Sequence, residues 1–377
     1  MARRSLRDRI AETLSYLSEE IDSRRVGGLG EAQAAGYVAG RLRRAEFAAA
    51  VQSFQAGAGE HLPLAVLVAL AVIGGAIAVL RSEPIWVAAA GLLVGLIVVL
   101  VIVEIEGPAP LRRMLKSTPS QSVVAARAAG ARSVPWRVIV LAPLDGSPGP
   151  ALNRQVLLVL LAALIAEAIG IVGVAVTATL GWRLMVAGCV AVLAIISALL
   201  LRRWLFPTLL PAIHGAGELT ALLMVTEELE ALHAIEVWSV ALGGGSVGHE
   251  SIRALIDRYP FSAGDTCIIN LHNITAGQPV FVTREGVLRE RRSDRMLLAL
   301  AADTDAVDIT IDAEPRRLRQ PTLAQAFHRR GFRAISISSH SDIAAFADID
   351  AETIERCVRL VVGMIRGLDA AEATAER

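Results

Sequence analysis

Four stretches of the chain are apolar all round, and between them the hydrophobic positions fall into short runs and helical stripes. Leu62–Leu80 and Pro84–Val103 carry no charge, Gln155–Trp182 carries only Glu167, and Leu184–Leu201 ends at Arg202 and Arg203 with Trp204 beside them. A helix needs about 20 apolar residues to cross a bilayer core of about 30 Å, because every backbone polar group there must bond internally. The pattern therefore predicts four transmembrane helices. The intervening Arg81-Ser82-Glu83 and Trp182-Arg183 leave room only for tight turns, so the helices form two hairpins. Arg112, Arg113, Lys116, Arg154, Arg202 and Arg203 lie on the side of the termini, against Arg81 and Arg183 at the hairpin tips. That bias predicts an integral membrane protein with both termini and every soluble segment in the cytoplasm. Glu167 is the one ionisable group deep in a span; an intramembrane carboxylate is costly and points to a function, or to a protonated side chain bonded to a neighbour.

Outside the spans, periods of two and of 3.6 alternate. Residues 1–61 read as helix Leu6–Ile21, a turn at Gly27, Gly28 and Gly30, helix Glu31–Phe47 and strand Ala50–Phe54. Residues 104–153 hold strands Ser122–Ala126 and Trp136–Leu141, ending at a turn over 145–149. Residues 206–377 begin with helix Gly217–His233, strand Ile235–Leu242, helix Val247–Tyr259, strand Thr266–Leu271 and a β segment Pro279–Val282. Helix Asp294–Ala302, strand Val307–Ile311, helix Leu323–Arg330, strand Ala334–Ser338 and helix Ala351–Leu368 complete it, before a tail from Ala370 that reads as frayed helix or disorder. Such alternation predicts an α/β fold: a mixed, mostly parallel sheet with helices on both faces. The three soluble pieces form one domain, interrupted by hairpins at 62–103 and 154–205.

Composition changes the picture in two respects. A chain of 377 residues with 54% hydrophobic residues and a mean hydropathy of +0.53 owes that excess to the four apolar blocks. The lipid bilayer is thus an expected partner, whereas a net charge of zero gives no basis for binding nucleic acid. Cys189, Cys267 and Cys357 are widely spaced, which fits a reducing compartment and neither a disulfide framework nor a zinc ribbon. No leader-like apolar core precedes residue 60. The clusters Arg289-Glu290-Arg291-Arg292 and Arg316-Arg317-Leu318-Arg319 read as solvated faces that could meet anionic headgroups.

In sheets of this class, chemistry gathers beyond the carboxyl ends of strands. Those positions hold Pro143 and Asp145, then 243–248, His272 and His340, with His214 just before a helix. His214, His272 and His340 are candidate ligands for one metal ion, zinc in the first instance, without a local motif to join them. Gly244-Gly245-Ser246-Val247-Gly248 matches G-x-S-x-G between a predicted strand and helix. Ser246 is therefore a candidate nucleophile, with His340 as base and Asp308 or Asp312 as acid. A tight turn with Ser246 as helix cap explains the same residues.

The order of segments resembles the zinc exopeptidases of the bacterial leucyl aminopeptidase and aminopeptidase Y type (metallopeptidase family 28). Arg24-Arg25-Val26-Gly27 with Ala34-Ala35-Gly36-Tyr37-Val38 and Leu42 is similar to the family's opening "R-x-x-G … A-x-Y-(I/V)-x-x-x-L". Gln121–Ala125 resembles its "Q-N-V-I-A" strand, Val138–Asp145 its "V-V-L-x-A-H-x-D" strand, and Ile268–His272 its "I-I-N-L-D" strand. Ala216–Leu223 is similar to the helix after "G-A-N-D-N-A-S-G", Ile235–Trp238 to the strand leading to the Glu-Glu pair, and His340 to the final histidine. The resemblance implies two zinc ions that polarise a carbonyl and hold hydroxide, with a glutamate as base. Carried over residue by residue, the first ligand falls at Pro143, the bridging aspartate near His214, the Glu-Glu pair at Gly245 and Ser246, and the later aspartate at His272. Asp145 keeps the place of the residue that orients the first ligand, and His340 matches in type. The resemblance thus implies a zinc-exopeptidase-like fold whose centre has lost its base: a binding module for a peptide or another membrane protein. An active metallo-aminopeptidase on the three histidines, or a serine hydrolase on Ser246, are the alternatives. Because the second hairpin enters beside the family's metal site, a cleft facing the membrane surface is expected.

Overall fold

Helix starts are written into the sequence as caps, and the computed structural model places them where short polar side chains precede apolar stripes. It describes residues 5–21, 23–57, 61–81, 83–106, 110–114, 117–130, 136–146, 154–177, 179–205, 215–230, 232–244, 250–320, 322–340 and 349–375. In chain order come α1 (Leu6–Ser15, continued by a π turn over Tyr16–Glu20), α2 (Leu29–Arg44), β1 (Ala48–Ala56), α3 (His61–Leu80), α4 (Pro84–Glu106) and α5 (Pro110–Met114). Then follow β2 (Thr118–Arg127), β3 (Trp136–Pro143), α6 (Arg154–Thr177), α7 (Leu180–Leu205), α8 (Ala216–Glu228), β4 (Ile235–Leu242) and α9 (Glu250–Arg258). The chain ends with β5 (Thr266–Leu271), β6 (Gln278–Glu285), β7 (Arg291–Arg292), α10 (Arg295–Val307), β8 (Glu314–Leu318), α11 (Leu323–His328), β9 (Arg333–His340) and α12 (Ala351–Ala375). Ser5 caps α1 through Asp8 N at 3.1 Å, Asp294 caps α10 through Met296 N at 2.9 Å, and Thr322 caps α11 through Gln325 N at 3.3 Å.

The chain forms two units: Met1–Ala56 with Thr118–Pro148 and Leu209–Arg377, and Gly57–Ser117 with Gly149–Thr208. The first is a nine-stranded mixed sheet in the order β1-β2-β4-β3-β5-β9-β6-β7, with β8 beside β6. Its centre, β4-β3-β5-β9, is parallel; β1 and β2 run antiparallel to their neighbours, and β6 is antiparallel to β9 and β7 but parallel to β8. Strand alternation sorts the core onto two faces. On one face Val138, Val140, Ile269, Leu271, Ile335 and Ile337 pack with α1, α2, α8, α10 and α12. On the other, Ile139, Leu141, Val240, Leu242, Ile268 and Ala334 pack with α9 and α11.

The second unit is built on α3, α4, α6 and α7, each long and apolar enough to cross a membrane. Ala78, Val87, Ala90, Val94, Ile171, Val174 and Val186 form a core inside it. At the end of α4, Glu104 and Arg112 make a buried ion pair of 3.2 Å, and the amides of Leu111 and Arg112 also donate to Glu104.

Two sequence expectations need correction. The second hairpin does not turn at Trp182-Arg183: α6 ends at Thr177 and α7 starts at Leu180, so both residues are helical. The boundary was sought at a charge, whereas the turn uses uncharged threonines and lets the Trp182 indole close against Gly173. Val307–Ile311 is not a strand. α10 runs to Val307, and Asp308 then accepts bonds from Thr310 N at 3.2 Å and Thr310 Oγ1 at 2.6 Å, a local turn that competes with sheet pairing. Its β-branched residues are no guide because Val307 and Ile309 are exposed. The strand comes later as β8, where the Arg316-Arg317 cluster lies along β6 in parallel register. Of the two readings of the tail, frayed helix or disorder, the structure has helix, as α12 continues to Ala375.

Candidate functional site

Parallel pairing of β4, β3, β5 and β9 brings their carboxyl ends to one edge, with Pro143 beside Leu242 and Leu271 beside Ile337. At the end of β3, Leu144 N donates to Leu242 O at 2.8 Å, and Asp145 follows, fully buried. Arg24 is buried beside it; Gly146 N donates to Arg24 O at 2.9 Å. Burial depresses the Arg24 guanidinium to about 10, against the fields of Glu218 and Asp145, so it is a cation at neutral pH. Glu218, in the first turn of α8, accepts from Asn273 N at 2.8 Å, and burial holds its carboxyl above the ordinary range. Gly215 enters α8 with φ 73°, a conformation that suits glycine, and Gly217 lies so close to Ile274 O that a Cβ would overlap it.

Beyond β4 the edge is closed. Glu31, in the first turn of α2, accepts from Ser120 Oγ at 2.6 Å and from Gly27 N at 2.7 Å. Burial raises its carboxyl, with these two bonds opposing the shift. A Cβ at Gly243 would overlap Gln121 O and stand 2.6 Å from Glu31 Oε1 and 2.7 Å from Ser120 Oγ. The first residue after β4 therefore admits no side chain, and a structural carboxylate occupies the neighbouring space.

His272 follows β5, its amide donating to Ile337 O at 2.9 Å. Its side chain bonds Gln320, its Nε2 is buried without a hydrogen-bond partner, and burial lowers its basicity. His340 is the last residue of β9, exposed and opposite Gln278. Alternation places Asn270 on the α9 and α11 face, with Ser336, Ser338 and His340 on that face of the adjacent strand. His214 and Ser246 lie outside the described residues, as do Gly245 and Gly248.

The sequence reading missed a buried network on this same face. Asn270 Nδ2 donates to Ser336 Oγ at 3.0 Å, Ser336 Oγ donates to Glu285 Oε2 at 2.7 Å, and His328 Nε2 stands 3.1 Å from Glu285 Oε1. Asn270, Glu285 and Ser336 are fully buried, and Asn270 Oδ1 and Gln325 Nε2 are sequestered without hydrogen-bond partners. The available signal was Asn and Ser at alternate positions of otherwise apolar strands, which alternation alone reads as a solvent face. The carboxylate here contacts both the hydroxyl and the imidazole. A nucleophilic serine needs the imidazole on the hydroxyl, so Ser336 is not activated in that sense.

Structural neighbours share this architecture. The aminopeptidase of Aneurinibacillus sp. strain AM-1 superposes with a TM-score of 0.54 at 11% identity, over 95% of this chain and 93% of that one. A zinc aminopeptidase from Bacillus subtilis gives 0.55 at 11% identity over 97% and 96%, and the glutaminyl cyclase of Macrostomum lignano 0.52 at 10% over 97% and 89%. The fold is zinc-exopeptidase-like. No protein-family model matches the sequence, and no curated protein does.

Zinc can be tested against the residues present. Pro143 has no side-chain donor, and no group of three or more His, Cys, Asp or Glu among the described residues could hold a metal ion. Asp145 lies beside Arg24, with Gly146 N bonded to Arg24 O. The described donors do not fit the family's dinuclear centre, and no zinc-dependent step follows from them.

Proposed function

We propose that this protein is a membrane-tethered, zinc-exopeptidase-like binding module without peptidase chemistry. The observation that carries the reading is Pro143: the last residue of β3, where the resemblance puts the first metal ligand, has no side-chain donor, and Gly243 after β4 is packed against backbone with Glu31 already bonded to Ser120 and Gly27. Hydrolysis by this fold needs a positioned base and metal donors at the strand ends. Here those ends carry Pro143, Gly243 and Gly244, with His272 beyond β5. The four apolar helices support the tether, and the arginine bias near their ends supports cytoplasmic termini. The ligand on this reading is a peptide or a segment of another membrane protein.

Elemental analysis of the purified full chain, with an assay on aminoacyl chromogenic substrates, tests this. The expected result is substoichiometric zinc and no hydrolysis. Stoichiometric zinc that disappears in both His272→Ala and His340→Ala, together with hydrolysis, would establish the active metallo-aminopeptidase instead. Labelling of Ser246 by an active-site serine probe would establish the serine hydrolase. A reporter fused after Arg377 should behave as cytoplasmic, and a signal from the opposite side would reverse the topology.

A further inference from the structure

Glu167 lies near the middle of α6, ten residues before the helix ends at Thr177. It is fully buried, and both carboxyl oxygens are sequestered with no hydrogen-bond partner among the described residues. No basic side chain among the described residues pairs with it. The contact is built for a carboxyl group: a Cβ at Gly75 of α3 would overlap Glu167 Oε1 and the Val190 methyl of α7. Cys189 of α7 is the titratable neighbour of Glu167. The other ionisable groups on these helices sit toward the ends: His61 on α3, Glu104 and Glu106 on α4, Arg154 on α6, and Arg183, Arg202 and Arg203 on α7.

We propose that Glu167 is a proton-binding site inside the helical unit, held as the neutral acid while α3, α6 and α7 are packed. An ionised, unpaired carboxylate in an apolar interior costs more than a domain's whole stability, so the group must bind a counter-ion or keep its proton. A hard metal cation needs a shell of about six oxygens. Gly75, Val190 and Cys189 offer no such shell, and the proton is the ligand that fits. Release of that proton requires the Gly75 contact to open to water or to a cation, so protonation and helix packing are coupled. This inference rests on the membrane reading above.

The test uses the full chain reconstituted in phosphatidylcholine vesicles. Dicyclohexylcarbodiimide reacts with a protonated acid in an apolar phase. The carboxyl oxygen adds to the carbodiimide carbon, the proton goes to nitrogen, and an O-to-N acyl shift leaves a stable N-acylurea with nothing expelled. At neutral pH we expect one adduct on the Glu167 peptide, retained in Cys189→Ala. Infrared spectra should show a protonated carboxylic carbonyl that is wholly absent from Glu167→Gln. Reconstituted protein with no adduct at Glu167 and no protonated carbonyl overturns the proton site alone. A chain that does not float with the vesicles overturns the membrane reading and the inference together. Both wild-type measurements stand even where Glu167→Gln fails to fold.

Discussion

Gly243→Ala is the sharpest test of the closed edge. Gly243 has an ordinary backbone conformation, since the glycines with positive φ are others, among them Gly244. Alanine is therefore conformationally acceptable, and any loss of stability measures packing. The new methyl carbon would overlap Gln121 O, part of β2, which is held on both sides by β1 and β4. It would also stand 2.6 Å from Glu31 Oε1 and 2.7 Å from Ser120 Oγ. Overpacking a well-filled interior costs about 1–3 kcal/mol. Displacing Glu31 from Ser120 and Gly27 adds about 1–3 kcal/mol for buried polar groups left unsatisfied. The total, about 2–6 kcal/mol, lowers Tm by roughly 10 °C, since each kcal/mol moves a domain of this size by about 2–4 °C. Thermal unfolding of the full chain, followed by fluorescence of Trp136 and Trp238 on β3 and β4, reads this. Gly36→Ala and Gly40→Ala are the controls: both lie on α2 with nothing within 4 Å of the added carbon, so each should stabilise by about 0.5–1 kcal/mol. A Gly243→Ala protein that melts within about 2 °C of the wild type would refute the packing argument. The claim that the first residue after β4 admits no side chain would fall with it.

Arg24→Met should destabilise the α/β unit by about 3–5 kcal/mol in denaturant titration, because Asp145 and Glu218 lose their buried cation. Glu218 has a raised folded-state pKa, so its contribution to stability is full below the ordinary carboxyl range and is lost as pH rises through the raised value. Glu218→Gln should flatten that dependence; an unchanged pH profile would show that Glu218 is not its source. Arg112→Met should cost about 3–5 kcal/mol in the helical unit by stranding Glu104, and reversal in Glu104→Gln/Arg112→Met would confirm the pairing.

Much of the fold was legible because two strong periodicities do not overlap. β4 and β5 fall where apolar runs predict, and the four apolar helices are delimited by charge at most of their ends. Val307–Ile311 failed because β-branched residues in a short window cannot be told from an exposed turn, and Asp308 supplies that turn. β8 failed for the opposite reason: an edge strand with exposed arginines has no apolar signature. At the edge of the sheet, losses of type were legible, since proline and glycine have no donors whatever their placement. What Gly243 excludes was not, because it depends on Gln121 O and Glu31, brought together by three segments distant in sequence. The Asn270–Ser336–Glu285–His328 network was hidden for the same reason. Its members come from four elements, and nothing local marks a serine in a strand as buried.

The residues that build this exopeptidase-like fold and those at its strand ends are different sets. The apolar residues that fix the sheet, from Val138 and Ile139 through Ile268 and Ile269 to Ala334 and Ile335, lie along the strands and belong to the two core clusters. Pro143, Gly243, His272 and His340 lie at or just past the strand ends and belong to neither. Replacing a metal ligand by proline, or a glutamate by glycine, therefore removes no core contact. It also relieves the desolvation of a buried charge, which catalytic sites must otherwise sustain. The buried charges that remain near the edge, Arg24, Glu31, Asp145 and Glu218, are those with structural tasks: two of the acids bind backbone amides, and Arg24 lies in the fields of Glu218 and Asp145. Among the described residues near this edge, buried charge stands where it holds segments together. That distribution supports the binding role proposed above.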